Sequence, residues 1–206
     1  MNKISVIGIG PGAREYLLPI ALETINSCQI IIGGARNLEA FPEFTGEKMP
    51  LPKALEDLIV FIKESKDSKR LGVIVSGDSG FYSILGFLNR HFTSEELEVI
   101  PGISSLQYFF ARLKRPWQDF TFQSLHGKRI DFIKELQDKK QVALLTDNVF
   151  SPDKLAQELI KNGFFKACLM VGENLSYPEE RIVCGTPEDI LKAAPYQMSV
   201  VVIVNE

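Results

Sequence analysis

Three glycine-bearing bends, each directly after an apolar β-rich run, restrict what this chain can fold into. GIGPG at residues 8–12 follows KISVI, SGDSGFYS at 76–83 follows RLGVIV, and PGISS at 101–105 follows LEVI. The last two lead into amphipathic segments. Further β-rich runs, QIIIG, DFTFQSL, QVALLTD, ACLMVG, RIVCG and SVVVIV, are interleaved with helical periodicity in REYLLPIALETINS, KALEDLIVFIKESK, FYSILGFLNRHF, SSLQYFFARL, RIDFIKELQDK and SPDKLAQELIKNG. Strands alternating with helices predict an α/β fold with a largely parallel sheet covered on both faces. In such sheets ligands sit beyond the carboxyl ends of the strands, where loops offer main-chain N–H groups.

The pattern breaks at LKRPWQDF, residues 113–120, which predicts a boundary between domains at 1–115 and 119–206. RIVCG and SVVVIV are expected to pair antiparallel. Ser151-Pro152 reads as an N-cap with proline at the first helical position, and Gly163 as the stop of that helix. A net charge of −3 disfavours a general nucleic-acid binder. The N-terminal apolar run is cut by glycines within a few residues, too soon for a signal-peptide core or a membrane span, so a cytoplasmic protein is expected. Cys28, Cys168 and Cys184 are odd in number and scattered, and read as reduced, buried thiols. With two histidines, His91 and His126, no metal site is expected.

Gly8, Gly10 and Ala13 fit the spacing G-x-G-x-x-A of dinucleotide-binding folds, which would make the chain an NAD(P)-dependent oxidoreductase. Two features oppose that reading. The acid due about twenty residues later, at the end of the second strand, is replaced by Gly33-Gly34. Pro11 removes an N–H that a pyrophosphate would use. No Walker-type G-x-x-x-x-G-K-[ST] occurs. Each bend also has a plain structural explanation: Ser104 or Ser105 as the cap of the next helix, and Asp78 as the cap of a helix near Phe81.

GxGPG, a GDP-type loop and PGxSS in this order resemble the tetrapyrrole methylases, which use S-adenosylmethionine. The resemblance extends over the chain, with VGENLSYPEERIVCGT matching the second-domain pattern of an acidic, Asn-containing turn before a strand. FQSLHGK at 122–128 is similar to the S-x-H-G-R segment of cobalamin-pathway enzymes that methylate C5 of a cobalt-precorrin ring, with Lys128 in place of arginine. Ser79 stands where the GDP loop has proline. The resemblance implies two α/β domains with mostly parallel sheets and a cofactor cleft between them, usually in a homodimer. A C15-methylating, decarboxylating activity, fused in some relatives, would here come from a separate protein.

Carried over by motif, the resemblance implies cofactor contacts at Pro11, Gly77, Asp78, Phe81, Ser104 and Ser105, and from the second domain at Leu145, Thr146, Glu173, Asn174 and Leu175. Methyl transfer from a sulfonium is an in-line displacement, so positioning matters more than acid–base chemistry. The meso carbon of a reduced tetrapyrrole is itself enamine-like and needs no activated Ser or Cys. A weakly polar site that presents backbone rather than a carboxylate favours loss of the sulfonium charge. The acetate and propionate groups of the ring call for local cations, for which Arg14, Arg36, Arg112, Lys128 and Arg129 are candidates. His126 is a candidate proton shuttle, with Asp78 and Tyr82 as alternatives, although a hydrogen-bonded structural histidine is the commoner case. Methylation elsewhere on the ring, a protein substrate as in diphthamide synthesis, and a non-catalytic tetrapyrrole binder remain open alternatives.

Overall fold

The computed structural model describes residues 3–125 and 131–205. The chain divides into two compact units, the second beginning at Ser105. The first unit runs β1 (Ile4–Gly8), α1 (Pro19–Ser27), β2 (Ile30–Gly33), α2 (Ala35–Glu39), β3 (Glu47–Pro50), α3 (Leu55–Ser65), β4 (Leu71–Val75), α4 (Leu85–Leu88) and β5 (Leu97–Ile100). Its sheet has the order β3-β2-β4-β1-β5, and every pair is parallel. Parallel sheets bury both faces, which is why these strands read as unbroken apolar runs. Ile4, Val6, Ile30, Ile32 and Val73 pack with Leu58, Ile59 and Ile62 of α3. On the other face Ile7, Ile31, Ile74 and Ile100 meet Ala21 and Ile25 of α1 and Leu38 of α2. Each such side chain contributes about 1.5–3 kcal/mol on burial.

The second unit runs α5 (Ser105–Leu113), β6 (Thr121–Ser124), α6 (Phe132–Lys139), β7 (Gln141–Leu145), α7 (Pro152–Lys161), β8 (Cys168–Glu173), β9 (Arg181–Gly185), α8 (Pro187–Lys192) and β10 (Ser199–Val204). Its sheet order is β6-β7-β10-β8-β9. Among its described strands only β6 and β7 pair parallel, while β10 runs antiparallel to β7 and β8, and β9 antiparallel to β8. The connection from β8 to β9, residues 174–180, is too short for a crossover and returns as a hairpin. The parallel pairing expected from the sequence thus describes the first sheet, and the second is mixed.

RIVCG and SVVVIV are not neighbours, contrary to expectation: β8 lies between them. β8 is buried from Leu169 to Glu173 and takes the inner place. β9, with exposed Arg181 and Cys184, suits an edge. The division into units falls ahead of α5, whereas the sequence puts its boundary after that helix. α5 groups with the second unit because Phe109 packs against Gly172 of β8, its ring 2.7 Å from where a Cβ on that glycine would sit.

Other differences have local causes. The helix expected from Arg14 onward starts at Pro19, because proline favours the first helical position and holds Leu18 extended. The run at 81–92 is helical only over Leu85–Leu88, since Tyr82 sits in the left-handed region at φ 51°. β3 escaped the sequence reading because EKMP is charged and ends in proline, a composition tolerated at an edge. α8 also escaped it, although Thr186 and Asp189 form a capping box around Pro187. Ser151 precedes Pro152 in extended conformation but makes no side-chain cap, and Gly163 follows α7 at φ 84° as expected. Among the described residues no group of three or more His, Cys, Asp or Glu is placed to hold a metal ion. No described helix is long and apolar enough to cross a membrane.

The cysteines differ from the buried set expected: Cys28 is buried, Cys168 half-buried and Cys184 exposed. Burial pushes the Cys28 thiol up to about 11. At pH 8 a thiol-alkylating reagent should therefore label Cys184 well before Cys28, and Cys28 labelling should rise steeply above pH 9 or on unfolding; mass spectrometry of timed digests reads the order.

Candidate functional site

β4, β1 and β5 are adjacent and parallel, so the three glycine bends, which follow these strands, emerge at the same end of the first sheet. They touch through main chain. The Ile9 N–H donates to the Val75 carbonyl at 2.9 Å, and Gly10 and Gly77 exchange N–H···O bonds of 3.1 and 2.8 Å in an isolated antiparallel bridge. Gly10 at φ 80° and Gly77 at φ 73° adopt the left-handed backbone that this crossing demands. PGISS closes the arrangement: a Cβ on Gly102 would lie 2.2 Å from the Gly77 carbonyl oxygen and 2.8 Å from the Gly8 carbonyl carbon.

Side chains then pin the loops. The Asp78 carboxylate accepts from the Gly80 N–H at 2.9 Å through Oδ1 and from the Gly102 N–H at 3.0 Å through Oδ2. It braces two loops and does not cap a helix. Ser79, fully buried, donates its hydroxyl to the Ile100 carbonyl at 2.8 Å, and the Ser83 hydroxyl donates to the Ser79 carbonyl. Ser79 thus ties its loop to the end of β5. Pro11 and Ser104 are buried, and Phe81 is half-buried with its ring edge-on to that of the exposed Tyr82 at 4.8 Å. Arg14 is exposed and paired with Glu43 at 2.9 Å, and Arg36 is exposed on α2.

The glycine contacts distinguish two substitutions of the same kind. Gly102→Ala should destabilise the first unit by about 2–4 kcal/mol, because its new methyl meets backbone that cannot yield. Gly34→Ala, with nothing within 4 Å of the new methyl, should change stability by less than about 0.5 kcal/mol in the same urea melts.

In the second unit the register sets Leu145 opposite Val200 and Glu173 opposite Ser199, so the ends of β7 and β8 flank the start of β10. Thr146 is buried, its hydroxyl donating to the Ser199 carbonyl at 2.6 Å. Glu173 is buried too; its carboxylate accepts from Arg181 Nε at 2.6 Å and from the Gln197 N–H at 2.5 Å. Asn174 turns through the left-handed region at φ 47°, its N–H donating to the Met198 carbonyl at 2.9 Å, and Leu175 folds back to be buried beside Gly172. Ser105 is the first residue of α5. His126, Lys128 and Arg129 lie outside the described residues.

Glu180 closes this turn. Its carboxylate accepts from the Tyr108 hydroxyl at 2.6 Å, Arg112 Nε at 2.8 Å and the Ser176 N–H at 2.8 Å. Arg112, a candidate for substrate, is thereby engaged within its own unit. Sequence reasoning noted Ser79 only as a departure from the motif and did not single out Tyr108, Glu180 or Arg181. The one available signal was the acid–base pair Glu180-Arg181 at the threshold of β9.

Burial opposes ionisation of Glu180, but donation from Tyr108, the Ser176 N–H and Arg112 outweighs it and holds the carboxyl below its usual range. A depressed native pKa adds stability above the unfolded value, near 4.3, that is lost as pH falls through the native one. Glu180→Gln should therefore cost about 1–3 kcal/mol at pH 7. The gap to the parent chain should shrink below pH 4, as urea melts at both pH values will read.

The family model for Tetrapyrrole (Corrin/Porphyrin) Methylases matches residues 3–191. The cobalt-precorrin-7 C(5)-methyltransferase of Salmonella typhimurium is 36% identical over 203 residues, covering 98% of this chain and 99% of that one. The precorrin-6Y C(5,15)-methyltransferase [decarboxylating] of a Sinorhizobium species is 33% identical over 181 residues, 87% of this chain and 44% of that one. Among solved structures, the cobalamin biosynthesis precorrin-6Y methylase of Archaeoglobus fulgidus superposes with a TM-score of 0.76 at 25% identity, covering 99% of this chain and 98% of that one.

Proposed function

The chain belongs to the tetrapyrrole (corrin/porphyrin) methylase family, and on that premise we propose that it is an S-adenosylmethionine-dependent C-methyltransferase acting on C5 of a cobalt-precorrin macrocycle in cobalamin biosynthesis. The observation that carries this reading is the meeting of three main-chain bends at the ends of β1, β4 and β5. The donor set suits the cofactor: the bends offer amides and carbonyls, and the one carboxylate among them, Asp78, has both oxygens on N–H groups. No free acid at these bends would hold back the loss of a sulfonium charge. An oxidoreductase is not favoured, since β2 ends in Gly33-Gly34 with no acid for a ribose.

S-adenosylmethionine, when bound, supplies an electrophilic methyl group to the ring carbon. By the motifs they carry, Pro11, Gly77, Asp78, Phe81, Ser104 and Ser105 of the first unit would hold it; in the second unit, Leu145, Thr146, Glu173, Asn174 and Leu175 are the proposed contacts. Asp78 keeps the loops in shape. Tyr82, with an exposed ring, and His126 are the candidates for moving protons as the macrocycle adjusts. Arg14, Arg36, Arg112, Lys128 and Arg129 meet the substrate's carboxylates by charge-assisted hydrogen bonds. The protein works in the cytoplasm as a homodimer, and a separate protein carries out methylation and decarboxylation at C15.

Calorimetry tests the reading. S-adenosylhomocysteine should bind at micromolar concentration while NADH gives no heat; the opposite pattern would end the proposal. Asp78→Ala should weaken that binding about tenfold or more, since two loop amides lose their acceptor.

A further inference from the structure

The reading above names the main chain at Glu173-Asn174-Leu175 as part of the cofactor site, and we propose that Arg181, which touches none of the reacting atoms, is the positioning residue that fixes it. This step rests on that reading.

Arg181 stands opposite Glu173 in the β8–β9 register. Its Nε donates to Glu173 Oε2 at 2.6 Å, Nη1 to the Ala193 carbonyl at 3.1 Å, and Nη2 to the Pro195 carbonyl at 2.8 Å, while the guanidinium lies over the Tyr196 ring at 4.9 Å. One rigid fork therefore joins the end of β8 to the loop that leads into β10. The same loop returns the contact, because the Gln197 N–H donates to the other oxygen of Glu173. Glu173 is 6% exposed. A carboxylate so placed needs a cationic partner, and only a planar guanidinium serves it together with two carbonyls and a ring face.

The consequence reaches past Glu173 itself. Asn174 leaves β8 in the left-handed region, with its N–H on the Met198 carbonyl just beyond Gln197. Backbone in that conformation persists only where its surroundings over-determine it. Removing the guanidinium leaves Glu173 buried on a single amide and releases residues 193–197, so both supports of the Asn174 turn loosen together. Arg181→Lys keeps the charge beside Glu173 but loses the fork.

Titration calorimetry with S-adenosylhomocysteine, and turnover at saturating S-adenosylmethionine, test this on the full chain. Arg181→Ala should weaken binding about tenfold or more and leave saturated turnover within about threefold. Arg181→Lys should recover part of the affinity. Tyr196→Phe removes the hydroxyl bond to the Ile190 carbonyl while keeping the ring under Arg181; it should lower the melting temperature without altering affinity.

Unchanged affinity in Arg181→Ala, or a loss in Tyr196→Phe as large as in Arg181→Ala, would overturn the inference. Should the alanine variant not fold, Arg181→Lys decides: a loss of about threefold or more supports the role and parental affinity refutes it. Failure of the parent chain to bind S-adenosylhomocysteine would take down the functional reading and this inference with it.

Discussion

Close contact between bare backbone at Gly8, Gly77 and Gly102 is the constraint on which the first unit's architecture turns. Three parallel strands reach one end of the sheet, and their loops approach within van der Waals distance without side chains between them. A parallel sheet with both faces covered leaves this rim as the place where polar main-chain groups are not already consumed by the ladder. The glycines therefore shape a surface rich in amides and carbonyls and poor in charge. Chemistry at a sulfonium, whose charge is dispersed in the transition state, is served by such a surface.

Much of this was legible from residues. The nine β-rich runs each became a strand: the inner ones are apolar throughout because both faces are buried, and the others still stand out as short β-rich stretches bounded by turn residues. The meeting of the three bends was also legible, since it follows once their strands are adjacent and parallel. What sequence hid was pairing over distance. Nothing local in RIVCG or SVVVIV says that CLMVGE will lie between them; that is decided by which strand has the most apolar surface to bury. EKMP at β3 gave no apolar signal because an edge strand needs little.

The candidate site divides along the same line. Pro11, Gly77, Asp78 and Ser104 stood out through motif; the helix cap that short-range logic offers as the plain alternative for Asp78 does not form, and its second oxygen reaches an amide 24 positions away. Glu180 and Arg181 were passed over because their partners, Tyr108, Arg112, Ala193 and Pro195, are remote in sequence. Polar networks that cross loops carry no periodicity, so only coordinates expose them. Both networks serve the same end, holding short irregular segments in place where the sheet no longer can.

β1 is the first strand of the chain, but Ile4 pairs with Leu97 in β5 as well as with Leu71 in β4. During synthesis the opening strand must wait, its apolar edge uncovered, until nearly half of the polypeptide has left the ribosome. Sequence separation of that size slows folding and prolongs the exposure of unpaired strands. The contact of the Gly102 bend with Gly8 and Gly77 at the amide-lined rim therefore needs residues from both ends of the first unit.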